Sequence, residues 1–198
     1  MDDRDDTEGG SLHFLQFFED DRARYDAVSA FSTPLLVRGG AVFIVAAVAH
    51  GRRFDELLRQ LGFDVDGLKA CGQLRIVDAD EVLTAFMASS APDAAKFLDS
   101  VGGIIRHMEA CHPKVGVYEE MADILWARGN RYGALELESL WNDLMAAHRF
   151  TLLCGYAQER FAHPEDEMYR REVCALHVQT ALVSDGSMAR VRDYGAGW

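Results

Sequence analysis

The feature that most constrains this chain is an alternation. Short apolar runs such as "AVFIVAA" at Ala41–Ala47 and "FTLLCGY" at Phe150–Tyr156 recur along it, separated by segments of helical periodicity. Successive side chains of a strand point to opposite faces, so a strand apolar at successive positions must be covered on both. Such strands alternating with amphipathic helices predict an α/β domain, a three-layer sandwich with a mostly parallel central sheet flanked by helices.

The stretch "SLHFLQFFED" supplies a first strand. A helix follows, with Tyr25, Val28, Phe31 and Leu35 on one face and Pro34 expected to disturb it. After Ala41–Ala47, Phe54, Leu57, Leu58 and Leu61 predict a helix closed by Gly62. "QLRIVDADEVL" predicts a strand ending at Asp78, and "PDAAKFLDSVGGIIRHMEACH" a long helix burying Phe97, Val101, Ile104, Ile105 and Met108. "KVGVYEEM" is a strand entering the helix "EEMADILWARG". In the next helix the apolar stripe runs through Leu135, Leu137 or Glu138, Leu140, Trp141 and Leu144; Trp126 and Trp141 read as packing residues. "PEDEMYRREVCALHVQTALV" predicts a last helix. Residues 1–10 read as a disordered acidic tail, 11–183 as one domain and 184–198 as a C-terminal tail.

A chain of 198 residues with 49% hydrophobic and 26% charged residues suits one globular domain. The net charge of −12 argues against direct binding of nucleic acid. No apolar stretch approaches the length of a membrane span, and "MDDRDDTEGG" has no feature of a signal peptide, so a cytoplasmic location is expected, without membrane contact. Cys71, Cys111, Cys154 and Cys174 are scattered, and thiols rather than disulfides are expected.

The apolar run into a helix is the layout of a nucleotide-binding P-loop. Laid on G-x-x-x-x-G-K-[ST], residues 46–53 keep the second glycine as Gly51; the first is Ala46, the lysine is Arg52 and the hydroxyl is Arg53. Without the hydroxyl the usual magnesium ligand is missing, which argues against ATP hydrolysis. Two readings stand: a plain strand-to-helix turn with solvated arginines, or an anion site built from His50, Gly51, Arg52 and Arg53 at a helix start. Ligands of open α/β sheets bind beyond the carboxyl ends of the strands. That rule adds Phe18, Glu19 and Asp20 after the first strand, Asp78 and Asp80 after the third, Glu119 and Glu120 after the fourth, and Tyr156 and Gln158 after the fifth, with Cys154 just inside. Each has a structural alternative. Asp78 can cap a turn, Glu119 and Glu120 can stabilise a helix start, and Cys154 can be a core thiol.

His107 with Cys111, and Cys174 with His177, have spacings that place two ligands on one helix face, a zinc or iron alternative weighed against scattered thiols. No G-x-S-x-G elbow or H-E-x-x-H motif points to an enzyme.

The order "HFLQFFED", "VFIVAAVAHGRRFDELLRQLGFDV", "GQLRIVDADEVLTAFM", "VGVYEEMADILWARGNRYGALELESLWNDL", "FTLLCGYAQERF" and the closing "VCALH" resembles the MEDS domain, the methanogen/methylotroph DcmR sensory domain, from about His13 to His177. The resemblance implies a RecA/KaiC-like domain with a degenerate P-loop. It implies a non-catalytic sensory module for a small molecule, working with a sensor kinase or transcription regulator. No helix-turn-helix or kinase module is present in this sequence, so the output is expected through a separate partner. The ligand is expected to be a small anionic or polar metabolite or a nucleotide, and no cofactor is certain. The alternatives are a divergent P-loop NTPase, a His/Cys metal-binding regulator, and an interaction protein that forms a homo-oligomer.

Overall fold

The computed structural model describes residues 11–177 and 179–182, so the expected tails at 1–10 and 184–198 lie outside the described residues. The chain runs through β1 (Leu12–Phe18), α1 (Asp21–Val37), β2 (Ala41–Ala46), α2 (Val48–Gln60), α3 (Val65–Ala70), β3 (Leu74–Asp78) and α4 (Ala79–Phe86). It continues through β4 (Met87–Ala88), β5 (Ala91–Pro92), α5 (Ala94–Cys111), β6 (Val115–Glu119), α6 (Met121–Ala127), α7 (Arg131–Ala147), β7 (Thr151–Ala157), α8 (Glu167–Ala175) and β8 (Gln179–Leu182).

Six strands form one sheet in the order β3-β2-β6-β7-β1-β8, and every pairing in it is parallel. The fold class expected from the alternation is the one found. All residues of β2 and of β6 are buried, as strands covered on both faces require. The period of two divides the core. Phe43, Val45, Val117, Leu152, Cys154, Leu15 and Phe17 face the layer of α4 to α8. Val42, Ile44, Tyr118, Leu153 and Phe18 face the layer of α1, α2 and α3.

Three local expectations need correction. Pro34 does not break α1, which continues to Val37. The ring removes one hydrogen bond near the helix end, while Val28, Ser32 and Leu36 keep a continuous buried face. The helix after β2 begins at Val48, not Phe54. Ala49, Arg52 and Arg53 favour helix, and Gly51 fits closely inside it, where a Cβ would lie 3.1 Å from Ile76 Cγ2. Its end is as expected, with Gly62 at φ 88°. β3 ends at Asp78 as expected, and the short helix α4 and the antiparallel β4–β5 hairpin follow it. The last predicted helix stops at Ala175, and residues 179–182 instead pair with β1 as an edge strand. Pairing partners of that kind are invisible to local periodicity.

Candidate functional site

The early start of α2 changes the reading of the P-loop frame. A phosphate cradle needs several non-helical residues whose N–H groups converge. Here Ala47 alone separates β2 from α2, and it offers no side-chain cap. His50, Gly51, Arg52 and Arg53 are therefore helical residues, and they diverge. Gly51 and Arg52 line an open crevice of about 410 Å³ beyond the ends of β2 and β3, with Val48, Lys69, Ile76 and Asp78. Arg53 turns aside to Glu56 at 2.9 Å. His50 turns the other way, toward Glu120 and Asp21.

Glu120 is the centre of a cluster on the α1/α2 face. Its carboxylate accepts hydrogen bonds from His50 Nδ1 at 2.7 Å, the Tyr118 hydroxyl at 2.9 Å and the Ala47 N–H at 3.2 Å. The Arg24 guanidinium lies 3.3 Å away. Burial alone would raise the Glu120 pKa, but the His50 hydrogen bond, the Arg24 charge and the Ala47 N–H outweigh it, and the value falls. His50 moves the opposite way: its hydrogen bond to Glu120 raises it despite partial burial. Burial, then the Glu120 charge, holds the Tyr118 phenol protonated, so it donates. Every charge in this cluster has an opposite beside it. The cluster also places a carboxylate on the Ala47 N–H at the start of α2.

Glu119, one residue earlier, leaves on the other face. It is fully buried, its Oε2 accepts the Met121 N–H at 2.9 Å, and its Oε1 has no hydrogen-bond partner among the described residues. Burial and then the neighbouring Glu138 charge push it up to about 8. Tyr156 is buried on the same face, and its hydroxyl donates to Glu138 Oε1 at 2.9 Å. Glu119, Glu120 and Tyr156 are thus interior groups rather than rim groups, which corrects the expectation for all three. Asp78 caps α4, its side chain accepting the Asp80 N–H, while it also borders the crevice.

Glu138 anchors a second buried cluster, between the sheet and α7. Its Oε2 lies 3.3 Å from Cys154 Sγ, 3.4 Å from His13 Nε2 and 3.3 Å from His177 Nε2. Burial and then the charges of Glu138 and Glu119 push the Cys154 thiol well up. This cluster draws on β1, α7, β7 and the turn after α8.

With both clusters in view, the sequence can be set beside known families. Residues 12–177 match the model of MEDS, the MEthanogen/methylotroph, DcmR Sensory domain. The chain belongs to the MEDS family. Among solved structures, this MEDS domain is similar to an uncharacterized protein from Pyrococcus horikoshii in complex with an unknown peptide. That likeness has a TM-score of 0.64 and 15% identity, covering 86% of this chain and 76% of that one. It is also similar to a KaiC-like protein from Pyrococcus horikoshii OT3, with a TM-score of 0.57 and 13% identity, covering 86% of this chain and 71% of that one. At these identities the likeness shows the fold, which is KaiC-like. No curated protein matches the chain.

The MEDS family carries a sensory role, and the expected recognition holds over nearly the whole described chain. The metal alternative read from the sequence needs revision. Cys111 and His107 are exposed on α5 and join no group of potential ligands among the described residues. Cys174 is half-buried and outside the Glu138 cluster, whereas His177 is inside it. The residues missed were His13, Glu138 and Arg24. Glu138 did leave a signal: a carboxylate in phase with Ala134, Leu137 and Trp141 on the buried face of α7. Among the described residues no helix is long and apolar enough to cross a membrane.

Proposed function

We propose that this MEDS domain is a non-catalytic sensory module. It binds a small anionic or polar metabolite in the crevice beyond β2 and β3 and passes the change to a separate signalling protein. The observation that carries this reading is Arg52. Among the described residues it makes no ion pair, while the acids around it are already engaged: Asp55 by Arg59 and Lys69, Glu56 by Arg53, and Asp78 by a backbone N–H. A free guanidinium beside the start of α2, which lacks a side-chain cap, is matched to a carboxylate or phosphate group. Catalytic turnover of a nucleotide is not part of the reading, because the strand-to-helix turn has neither a cradle nor a hydroxyl for magnesium.

The test is a thermal-shift and calorimetric screen with inorganic phosphate, small carboxylates and nucleotides with and without Mg²⁺. An anion that raises the wild-type midpoint and has no effect on Arg52→Ala supports the crevice. Magnesium-dependent hydrolysis of ATP would replace the sensor by a divergent NTPase. No shift from any anion would remove the crevice as the ligand site.

A further inference from the structure

His13, Glu138, Cys154 and His177 are far apart in sequence, fully buried, and each directs one ligating atom to a common point, with all four atoms within 4.8 Å of one another. We propose that they form a tetrahedral site for a borderline divalent cation, with Zn²⁺ the best fit.

Geometry carries the first part. Bonds of about 2.0–2.3 Å from Zn²⁺ to nitrogen, oxygen and sulfur imply tetrahedral edges of about 3.3–3.6 Å. Four of the six edges are 3.1 Å from His13 Nε2 to Cys154 Sγ, 3.3 Å from Cys154 Sγ to Glu138 Oε2, 3.4 Å from His13 Nε2 to Glu138 Oε2 and 3.3 Å from His177 Nε2 to Glu138 Oε2.

Proton placement carries the second. His177 Nδ1 faces the Val173 carbonyl at 2.7 Å, an acceptor, so that nitrogen holds the proton. His13 Nδ1 faces Asn142 Oδ1 at 2.9 Å, and the Asn142 amide is oriented by donating to the Leu176 carbonyl at 2.9 Å. Both neutral rings therefore aim a bare Nε2 inward, at a carboxylate oxygen and a thiol. Among these four atoms the thiol supplies the one proton. His177 Nε2 is buried without a hydrogen-bond partner.

A divalent cation removes the difficulty. Cys154 loses its proton to solvent on binding, and one thiolate, one carboxylate and two neutral imidazoles give a site of zero net charge. Asn142, Val173 and Tyr156, bonded to the far sides of His13, His177 and Glu138, are the outer groups that orient metal ligands. His177 lies two residues before β8, so the ion would tie the edge strand to β1 and α7.

The experiment uses the full chain, freed of metal by a chelator and titrated with Co²⁺ and then Zn²⁺. Metal content of the freshly purified protein identifies the native ion. The expected result is one Co²⁺ per chain with the visible bands of tetrahedral cobalt and a near-ultraviolet thiolate charge-transfer band, displaced by Zn²⁺. Cys154→Ser loses the charge-transfer band, His177→Ala loses tight binding, and Asn142→Ala weakens binding about 10–100-fold. Cys111→Ser and Arg52→Ala leave binding unchanged, which separates this site from the crevice. Circular dichroism confirms that each variant is folded. A folded wild-type chain that takes up no Co²⁺ or Zn²⁺ overturns the site, as does stoichiometric uptake that survives both Cys154→Ser and His177→Ala.

Discussion

The two faces of the sheet each bury a glutamate among histidine and tyrosine, and they resolve its charge differently. On the α1/α2 face, Glu120 meets His50, the Arg24 guanidinium and the Tyr118 hydroxyl, so its charge is met by an opposite charge and by donors. On the α7 face, Glu138 meets two imidazole Nε2 atoms and a thiol, and no arginine or lysine is among its ion-pair partners in the described residues. A buried carboxylate is tolerated when a cation and hydrogen bonds compensate it. The first cluster carries its cation within the sequence; the second is arranged to take one from outside. Adjacent residues in the chain, Glu119 and Glu120, belong one to each face.

The comparison is broken most directly at Glu120. Glu120→Ala leaves Arg24 buried without its carboxylate, and the expected loss of stability is about 3–5 kcal/mol by chemical denaturation. A loss below that of an ordinary surface substitution would show that the cluster is not a closed charge pair. Metal exchange probes the other face. Zn²⁺ at a hundredfold excess over its Kd is expected to stabilise the metal-free chain by about 2.7 kcal/mol. Glu138→Gln should diminish that gain, while Glu120→Ala should leave it intact.

A smaller effect is expected from His50→Gln, roughly 1.5 kcal/mol near pH 6, because His50 is partly exposed and its bond to Glu120 is partly screened. The pH dependence fixes the sign. His50 is raised, so its contribution is full below the ordinary histidine value and is lost as pH rises through the raised one. Glu120 is lowered, so its contribution is full above the ordinary glutamate value and is lost as pH falls through the lowered one. The wild type minus His50→Gln difference should therefore be largest between those limits and shrink on both sides. A flat difference across that range would remove the ion pair. The smallest effect is Arg52→Ala, expected to change stability by no more than about 0.5 kcal/mol, since the side chain is exposed and makes no ion pair among the described residues. Its readout is loss of the anion-induced midpoint shift.

Most of the architecture was legible in the sequence because burial on both faces writes itself into every residue of a strand. Ala41–Ala46 and Val115–Glu119 are short, rich in β-branched residues and buried at every position, and the helical stripe of Phe97, Val101, Ile105 and Met108 is equally local. Residues 46–53 show the limit. Motif spacing suggested a loop, but helix propensity and the fit of Gly51 against Ile76 made it the first turns of α2.

The sequence by itself determined the layers, the five strands β1, β2, β3, β6 and β7, and the family, since these follow from periodicity and residue order. Only the tertiary structure decided which polar residues meet. His13 and Cys154 are 141 residues apart yet 3.1 Å from one another, because β1 and β7 pair in parallel and direct alternate side chains beneath α7. Whether Glu119 and Glu120 look outward or inward was likewise decided by the crossover of β6 into α6. Contacts between distant segments depend on sheet order and register, and no local pattern of residues encodes either.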